Sequence, residues 1–118
     1  MIRPTEFQVH TAVAEHLRLR AAPGVLWLHC PNGERRDART GAKLKYMGLL
    51  AGAADLLLWH RGASFALELK RPGGRLSDAQ REFAARFADA GGHTAVAEGV
   101  DEAIAVLEGW QLLRGRAA

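Results

Sequence analysis

The fold is decided by residues 55–70, which read DLLLWHRGASFALELK. Two continuous apolar runs, residues 55–59 and 65–70, flank the segment 60–63. Short apolar runs bounded by turn signals are typical of buried strands, and two such runs this close together indicate a hairpin. Residues 55–70 therefore predict two paired, buried strands.

The register of this hairpin follows from its turn. If residues 61–62 form a two-residue turn, His60 lies opposite Ala63. Counting back along both strands from that pair, Asp55 lies opposite Glu68. A four-residue loop gives the same pairing, whereas a three-residue loop would place Asp55 on the other face of the sheet.

Three charged side chains, those of Asp55, Glu68 and Lys70, fall on one face of this apolar hairpin. Side chains alternate along a strand and cross-strand partners share a face, so the opposed carboxylates start from Cβ atoms about 5 Å apart. Like charges so placed repel, and burial raises the cost. A divalent cation removes the conflict, because Mg²⁺ and Mn²⁺ prefer hard oxygen ligands. The hairpin therefore predicts a metal site, and an ordinary ion-pair patch is the alternative interpretation.

A metal site of this composition can support phosphodiester hydrolysis. The metal polarises a phosphoryl oxygen and makes hydroxide available from a bound water near neutral pH. Lys70 adds positive charge where the phosphate gains negative charge, and it can accept the proton of the water.

The flanking sequence predicts further helices and strands. Capping boxes, in which Thr or Ser is followed three residues later by Gln, open helices at Thr5 and Ser77. The other predicted elements are strands at residues 25–30 and 93–98, short helices at 43–50 and 101–107, and a loop at 31–41. The order α-β-α-β-β-α-β-α indicates an α/β or α+β fold, with helices flanking a central mixed β-sheet.

Composition bounds the class of protein. The 118 residues suffice for one domain, predicted to span residues 1–118, and 48% apolar with 25% charged residues is typical of globular chains. A formal net charge of +3 permits a polyanionic partner without requiring one. The single cysteine, Cys30, excludes an intramolecular disulfide and suits a reducing cytoplasm. Residues 47–54, the longest uncharged apolar run, are too few to cross a bilayer.

Several short motifs occur along most of the chain in a specific order and spacing. They are Thr5-Glu6-x-Gln8, His29-x-Pro31-Asn32-Gly33, Gly41-Ala42-Lys43-Leu44-Lys45, Gly48 with Gly52, Asp55-Leu56-Leu57, Glu68-Leu69-Lys70 and residues 74–80. From Thr5 to about Leu107, this pattern resembles the VRR-NUC (virus-type replication-repair nuclease) domain of the PD-(D/E)XK nuclease superfamily. Ala54 departs from the family pattern, which has Pro before the aspartate, and this puts the local backbone geometry in question rather than the metal site.

The resemblance implies a restriction-endonuclease-like core and a Mg²⁺- or Mn²⁺-dependent nuclease that hydrolyses DNA phosphodiester bonds. It also implies selectivity for structured DNA, such as branched or four-way (Holliday) junction DNA, and a role in DNA repair. Stand-alone members of the family are small proteins of phages and bacteria that resemble junction-resolving homodimers. We therefore expect a homodimer in the cytoplasm of a bacterial or phage-infected cell, with no organic cofactor and no membrane partner.

The resemblance also implies roles for individual residues. The expected metal ligands are Glu6, Asp55, Glu68 and the main-chain carbonyl of Leu69. Lys70 is the expected catalytic lysine, and Gln80 would orient Lys70 or the attacking water. Two of these roles have structural alternatives: Gln80 is also the N3 residue of a capping box, and the carboxylate of Glu6 suits the first turn of a helix because of the helix dipole.

Basic residues flank the predicted site on both sides. They are Arg35, Arg36, Arg39, Lys43 and Lys45 before the hairpin, and Arg71 and Arg75 after it. Their position favours binding of nucleic acid through its phosphates, without reading of base sequence, over a merely solvated loop.

The histidines and the cysteine form no motif of their own. The histidines, which lack the spacing of metal ligands, are His10, His16, His29, His60 and His93. We expect structural roles for them, although His29 belongs to a family motif and could approach the phosphate. Cys30 has no partner base in the sequence and is expected to be inert.

Two other functions fit parts of the pattern. A catalytically silent module would keep the fold and bind DNA or RNA without cutting it, and a structural subunit would leave its basic loop merely solvated. The presence of Asp55, Glu68 and Lys70 together argues against both, because a protein without catalysis has no need of all three. The sequence therefore predicts a nuclease.

Overall fold

The computed structural model describes residues 5–31, 38–48 and 50–115. Its elements are α1 (Glu6–Arg20), β1 (Leu26–His29), α2 (Ala38–Tyr46), β2 (Leu56–His60), β3 (Ala63–Lys70), α3 (Asp78–Asp89), β4 (His93–Glu98) and α4 (Gly99–Gly109). Their order confirms the predicted α-β-α-β-β-α-β-α arrangement. Both predicted capping boxes are present: the Thr5 hydroxyl accepts the N–H of Gln8, and the Ser77 hydroxyl accepts that of Gln80.

Helix α2 differs most from its predicted bounds. It begins at Ala38, inside the predicted loop, and continues through Gly41, where a side chain would meet nothing within 4 Å. A glycine that faces open space weakens a helix without ending it, so the predicted start at residue 43 is wrong. The helix ends at Tyr46 rather than residue 50 because Gly48 adopts a φ of +104°, which is typical of a helix C-terminus. The rest of the predicted loop, residues 32–37, lies outside the described residues.

The strands of the described residues form a four-stranded mixed sheet in the order β1-β2-β3-β4. β2 pairs antiparallel with β1 and with β3, whereas β3 and β4 are parallel. The parallel pair follows from the connection, because α3 carries the chain back to the end of the sheet where β3 begins. The fold is therefore α+β, with helices flanking a mixed sheet as the sequence predicts.

The β2–β3 hairpin has the register that a two-residue turn predicts. Leu56 pairs with Leu67, and one step further along both strands brings Asp55 opposite Glu68. The turn residues 61–62 have φ values of +51° and +81°, the combination that a two-residue type I′ turn requires. The turn geometry thus places Asp55 and Glu68 at the same end of the sheet.

The hydrophobic core lies between one face of the sheet and the helices α1 and α4. Helix α1 contributes Val9, Val13 and Leu17, which recur at helical spacing and are fully buried. They belong to the same cluster as Leu67 of β3. Among the described residues, Glu68 is the one charged residue that is buried, with 7% of its surface exposed. No helix in the described part of the chain has the length and apolar character needed to cross a membrane.

Candidate active site

The end of β3 carries two charged side chains, Glu68 and Lys70. Glu68 is buried beneath α3, and only 12% of the Lys70 side chain is exposed. The Nζ atom of Lys70 lies 3.9 Å from Oε1 of Glu6, which α1 presents in its first turn. Helix α1 thus supplies an acidic partner for the lysine at the end of the central strand.

Asp55 immediately precedes β2 and is bonded to both neighbouring strand segments. Its Oδ2 atom accepts the backbone N–H of Leu69 at 2.7 Å. Its main-chain carbonyl accepts the N–H of Cys30, also at 2.7 Å. The structure therefore brings Asp55, Glu68 and Lys70 together at one end of the sheet, as the predicted register requires.

The two carboxylates are so close that they do not readily ionise together. Burial, above all, raises the pKa of Glu68 to about 9, and a side-chain hydrogen bond to Asp55 and the negative charges of Asp55 and Glu6 act in the same direction. The Lys70 ammonium lowers this pKa but does not offset the rise. An acid pair that retains a proton at neutral pH suits a cation, because a divalent ion can replace the proton and remove the repulsion.

The donor set of the acid pair fits Mg²⁺ or Mn²⁺, since both carboxylates offer hard oxygen atoms. Within residues 5–31, 38–48 and 50–115, no group of three or more His, Cys, Asp or Glu side chains is arranged to hold a metal ion. Asp55 and Glu68 would therefore leave positions for carbonyl, water and phosphate oxygens, an arrangement that Mg²⁺ commonly adopts. The structure brings Glu6 to Lys70, and ligation of a metal by Glu6 stays a prediction.

Gln80 closes the predicted capping box and also contacts Glu68, whereas orientation of Lys70 or the attacking water by Gln80 stays a prediction. It is the N3 residue of the α3 capping box, where its Oε1 accepts the N–H of Ser77 at 2.8 Å. Its Nε2 donates to Oε1 of Glu68 at 3.2 Å. One side chain therefore both closes the start of α3 and holds a carboxylate of the acid pair.

The start of α3 approaches the acid pair because Gly52 has no side chain. Gly52 has a φ of +77°, and a Cβ built on it would lie 2.3 Å from the carbonyl of Ala79 and 2.6 Å from the nitrogen of Gln80. Any other residue would push the first turn of α3 away. The close backbone contact at Gly52 thus sets the position from which Gln80 reaches Glu68.

An open cleft of about 550 Å³ lies between α1 and β1 and extends to Asp55. We refer to it as the α1–β1 cleft, and its lining includes Phe7, His10, Trp27, His29 and Asp55. The rings of His10 and His29 meet edge to face, with centroids 5.4 Å apart. The Nε2 atom of His10 lies 3.7 Å from Oδ2 of Asp55. The cleft is therefore continuous with the predicted metal site.

His10 is the site residue that motif analysis misses. It lies four residues after Glu6, so both side chains project from one face of α1. This spacing is the sequence feature from which His10 can be predicted to lie at the site. Cys30 also lines the α1–β1 cleft. Burial and the charge of Asp55 raise the pKa of its thiol, which keeps the sulfur protonated and accords with the expected inertness.

The predicted basic residues are described in part. Those that the structure describes as exposed are Lys43, Lys45, Arg71 and Arg75. Arg39 lies in α2, and Arg35 and Arg36 lie outside the described residues. Exposure suits contact with phosphates, and a role for these residues in binding nucleic acid stays a prediction.

The fold and the site together define a class of protein. A helix-flanked mixed sheet, with two acids and a lysine at one end of its two inner strands, is compatible with the core of restriction-endonuclease-like proteins. A family model for the VRR-NUC domain matches residues 5–101. The chain belongs to the VRR-NUC domain family, and its domain is of the nuclease type.

A solved structure supports the same assignment over nearly the whole chain. It is that of a VRR-NUC domain protein, to which this chain is 28% identical with a TM-score of 0.78. The similarity covers 95% of this chain and 93% of the other. No curated protein matches the sequence. The family resemblance and the fold class predicted from the motifs are confirmed.

Proposed function

We propose that this protein is a nuclease that uses a divalent metal ion to hydrolyse DNA phosphodiester bonds, with Asp55, Glu68 and Lys70 as its catalytic residues. The observation that carries the proposal is the burial of Glu68 beside Asp55, where its pKa rises to about 9. A buried acid pair of this kind destabilises a fold unless it is neutralised, so a purely structural role does not account for it. Binding of a divalent cation accounts for the buried acid pair.

Asp55 and Glu68 would hold the metal, with the main-chain carbonyl of Leu69 as a further ligand and Glu6 acting directly or through water. The chemistry that bound Mg²⁺ or Mn²⁺ supplies is polarisation of the phosphodiester and activation of water for attack. The chain keeps the ligands in position: the N–H of Leu69 restrains Asp55, and the amide of Gln80 restrains Glu68. Partners of this kind orient ligands and affect metal affinity.

Lys70 would act on the reacting phosphate. Its side chain is mostly buried and its Nζ atom lies 3.9 Å from Glu6, so the ammonium is held at the end of β3. There it would stabilise the negative charge that the phosphate oxygens gain as water attacks. The new bond joins the water oxygen to phosphorus, the bond to the leaving sugar oxygen breaks, and the proton that water loses balances the one that the leaving oxygen gains.

We further propose that the substrate is structured DNA and that the working form is a homodimer. The exposed side chains of Lys43, Lys45, Arg71 and Arg75 would contact phosphates. One site cuts one strand at a time, so paired cuts in a junction require a second subunit. An apolar patch suited to pairing lies on β1, where Leu26 and Leu28 are 64% and 42% exposed. The expected compartment stays the cytoplasm of a bacterial or phage-infected cell.

The test is cleavage of labelled four-way junction, flap, duplex and single-stranded DNA in Mg²⁺, Mn²⁺ or EDTA. Wild-type protein should cut only with metal and should favour branched DNA. Asp55→Asn and Lys70→Ala should cut at least about 100-fold more slowly while binding DNA almost as tightly. Glu15→Gln, at an exposed position of α1, is the matched control and should cut like the wild type. Equal cleavage in EDTA would overturn the metal mechanism, and binding without any cleavage would favour the silent module.

A further inference from the structure

We propose that the α1–β1 cleft binds an unpaired nucleotide of the DNA strand being cut, next to the cleaved phosphate, an inference that rests on the proposed nuclease function. The cleft volume of about 550 Å³ lies in the range of sites that enclose small organic groups, about 300–1,000 Å³. A phosphate backbone running over a surface needs no such recess. The recess therefore points to a base as its occupant.

The walls of the cleft have the chemistry that binds bases. Phe7 is 78% exposed and lies at the cleft, where packing against the described residues does not account for it. Trp27 is half-buried, and the guanidinium carbon of Arg18 lies 6.0 Å from its ring centroid. The imidazole rings of His10 and His29 add two more flat surfaces. Aromatic rings bind unpaired bases by stacking whatever their sequence, and a nearby guanidinium adds to this.

The position of the cleft fixes which nucleotide would enter it. Phe7 directly follows Glu6, whose carboxylate lies 3.9 Å from Nζ of Lys70, and Glu6 and Asp55 both line the cleft beside Phe7. A base stacked on Phe7 would therefore belong to a nucleotide beside the phosphate at Lys70. In a continuous duplex that base is paired and stacked, so it must leave the helix before it can enter the cleft. DNA that already has an unpaired base at this point avoids that cost.

The test compares two labelled duplexes of the same sequence, one fully paired and one with a single unpaired nucleotide. Wild-type protein in Mg²⁺ should cut the second beside the unpaired nucleotide and with the higher kcat/KM. Phe7→Ala should lower kcat/KM on the second substrate about tenfold and on the paired duplex less than about twofold. Phe7→Trp should restore the preference. Leu19→Ala, 74% exposed on the same helix but outside the cleft, is the matched control and should behave like the wild type.

A binding measurement separates this inference from the nuclease proposal. The unpaired nucleotide is replaced by 2-aminopurine, whose fluorescence falls when it stacks, and Glu68→Gln protein is used so that the DNA stays intact. Quenching that is lost on adding Phe7→Ala supports the cleft as a base site, even if no DNA is cut by the wild-type protein and the nuclease proposal fails. Two results would overturn the inference while leaving the nuclease proposal intact. One is an equal fall in kcat/KM on both duplexes for Phe7→Ala, and the other is 2-aminopurine quenching that persists in Phe7→Ala.

Discussion

Two helices of this protein begin with the same capping box, but only one of the two boxes reaches the acid pair. In α1, the Gln8 side chain accepts the N–H of Thr5 at 2.9 Å and is exposed. In α3, Gln80 accepts the N–H of Ser77 at 2.8 Å, and its amide also donates to Glu68. The local geometry of the two boxes is the same, and their surroundings differ.

The difference lies in what each helix start faces. The first turn of α1 lies at the rim of the α1–β1 cleft, with its box open to solvent. The first turn of α3 packs against the backbone of Gly52 and lies over the face of β3 that carries Glu68. A capping motif therefore determines where a helix begins, whereas tertiary packing determines whether its side chains take part in the site.

Removing the acid that Gln80 contacts should have the largest effect. Glu68→Gln keeps the side-chain volume and can still accept from Gln80, but it removes one of two carboxylates proposed to hold the metal. We expect cleavage in Mg²⁺ to fall at least about 100-fold. In EDTA at pH 8 the variant should melt no lower than the wild type, because the buried acid beside Asp55 is gone. Activity within about tenfold of wild type would contradict the assigned role of Glu68.

Moving the start of α3 should have the next largest effect. Gly52→Ala puts a methyl group at a φ of +77° and 2.3 Å from Ala79, whereas Gly91→Ala, at the far end of α3, has a φ of +99° and open space around it. We expect Gly91→Ala to lose about 1–2 kcal/mol of stability from its backbone alone. Gly52→Ala should lose about 1–3 kcal/mol more, because of overpacking.

Cleavage separates the two glycine variants further. Gly52→Ala should also cut more slowly than Gly91→Ala, because it displaces Gln80 from Glu68. Urea unfolding measures the loss of stability of each variant, and cleavage rates under conditions where both variants are folded measure the effect on the site. Equal losses of stability and of cleavage rate for the two variants would mean that the contact between residue 52 and α3 does not affect the site.

A charge placed in each capping box sharpens the comparison. Glutamate also closes a capping box, so Gln8→Glu should leave cleavage within about twofold of the wild type. Gln80→Glu would bring a third carboxylate against Glu68 and Asp55. We expect about tenfold slower cleavage and a higher Mg²⁺ concentration at half-maximal rate, as for other changes to groups that orient metal ligands. Identical Mg²⁺ titrations of the two variants would show that the bond from Gln80 to Glu68 is unimportant.

Much of the site follows from local sequence rules, because its decisive geometry is that of a hairpin. The turn at residues 61–62 sets the register, and the register brings Asp55 opposite Glu68. Both boxes are recognisable for the same reason, since a capping box involves residues only three apart. Features determined within a few residues of the chain are therefore predicted correctly.

The features that fail prediction depend on residues distant in the chain. The contact between Gln80 and Glu68 requires Gly52 to admit the first turn of α3, and no pattern in any one segment contains that information. His10 comes near Asp55 because α1 packs against β3. Helix α2 begins before Gly41 because a single glycine weakens a helix without ending it, so the glycine does not mark the helix start.

The smallest expected effect is a pH dependence of stability. It should arise at the α3 capping box, which contacts Glu68, and not at the α1 box, which contacts no buried acid among the described residues. The pKa of Glu68 rises from an ordinary 4.5 to about 9 in the folded protein, chiefly through burial. The folded state therefore holds this proton more tightly than the unfolded chain does. The resulting stabilisation is complete below about pH 4.5 and is lost as the pH rises toward about 9.

Metal-free wild-type protein should accordingly melt at least about 5 °C lower at pH 9 than at pH 6. Saturating Mg²⁺ should reduce this fall, because the cation stabilises the charged pair that the proton no longer neutralises. Other groups titrate over the same range, so the informative quantity is the difference in Tm between Glu68→Gln and the wild type at each pH. That difference should increase toward pH 9 in EDTA, whereas Gln8→Glu should follow the wild type throughout. If the Tm of Glu68→Gln and the Tm of the wild type change in parallel with pH, Glu68 is already ionised in the metal-free fold. The two carboxylates would then not need a cation to coexist.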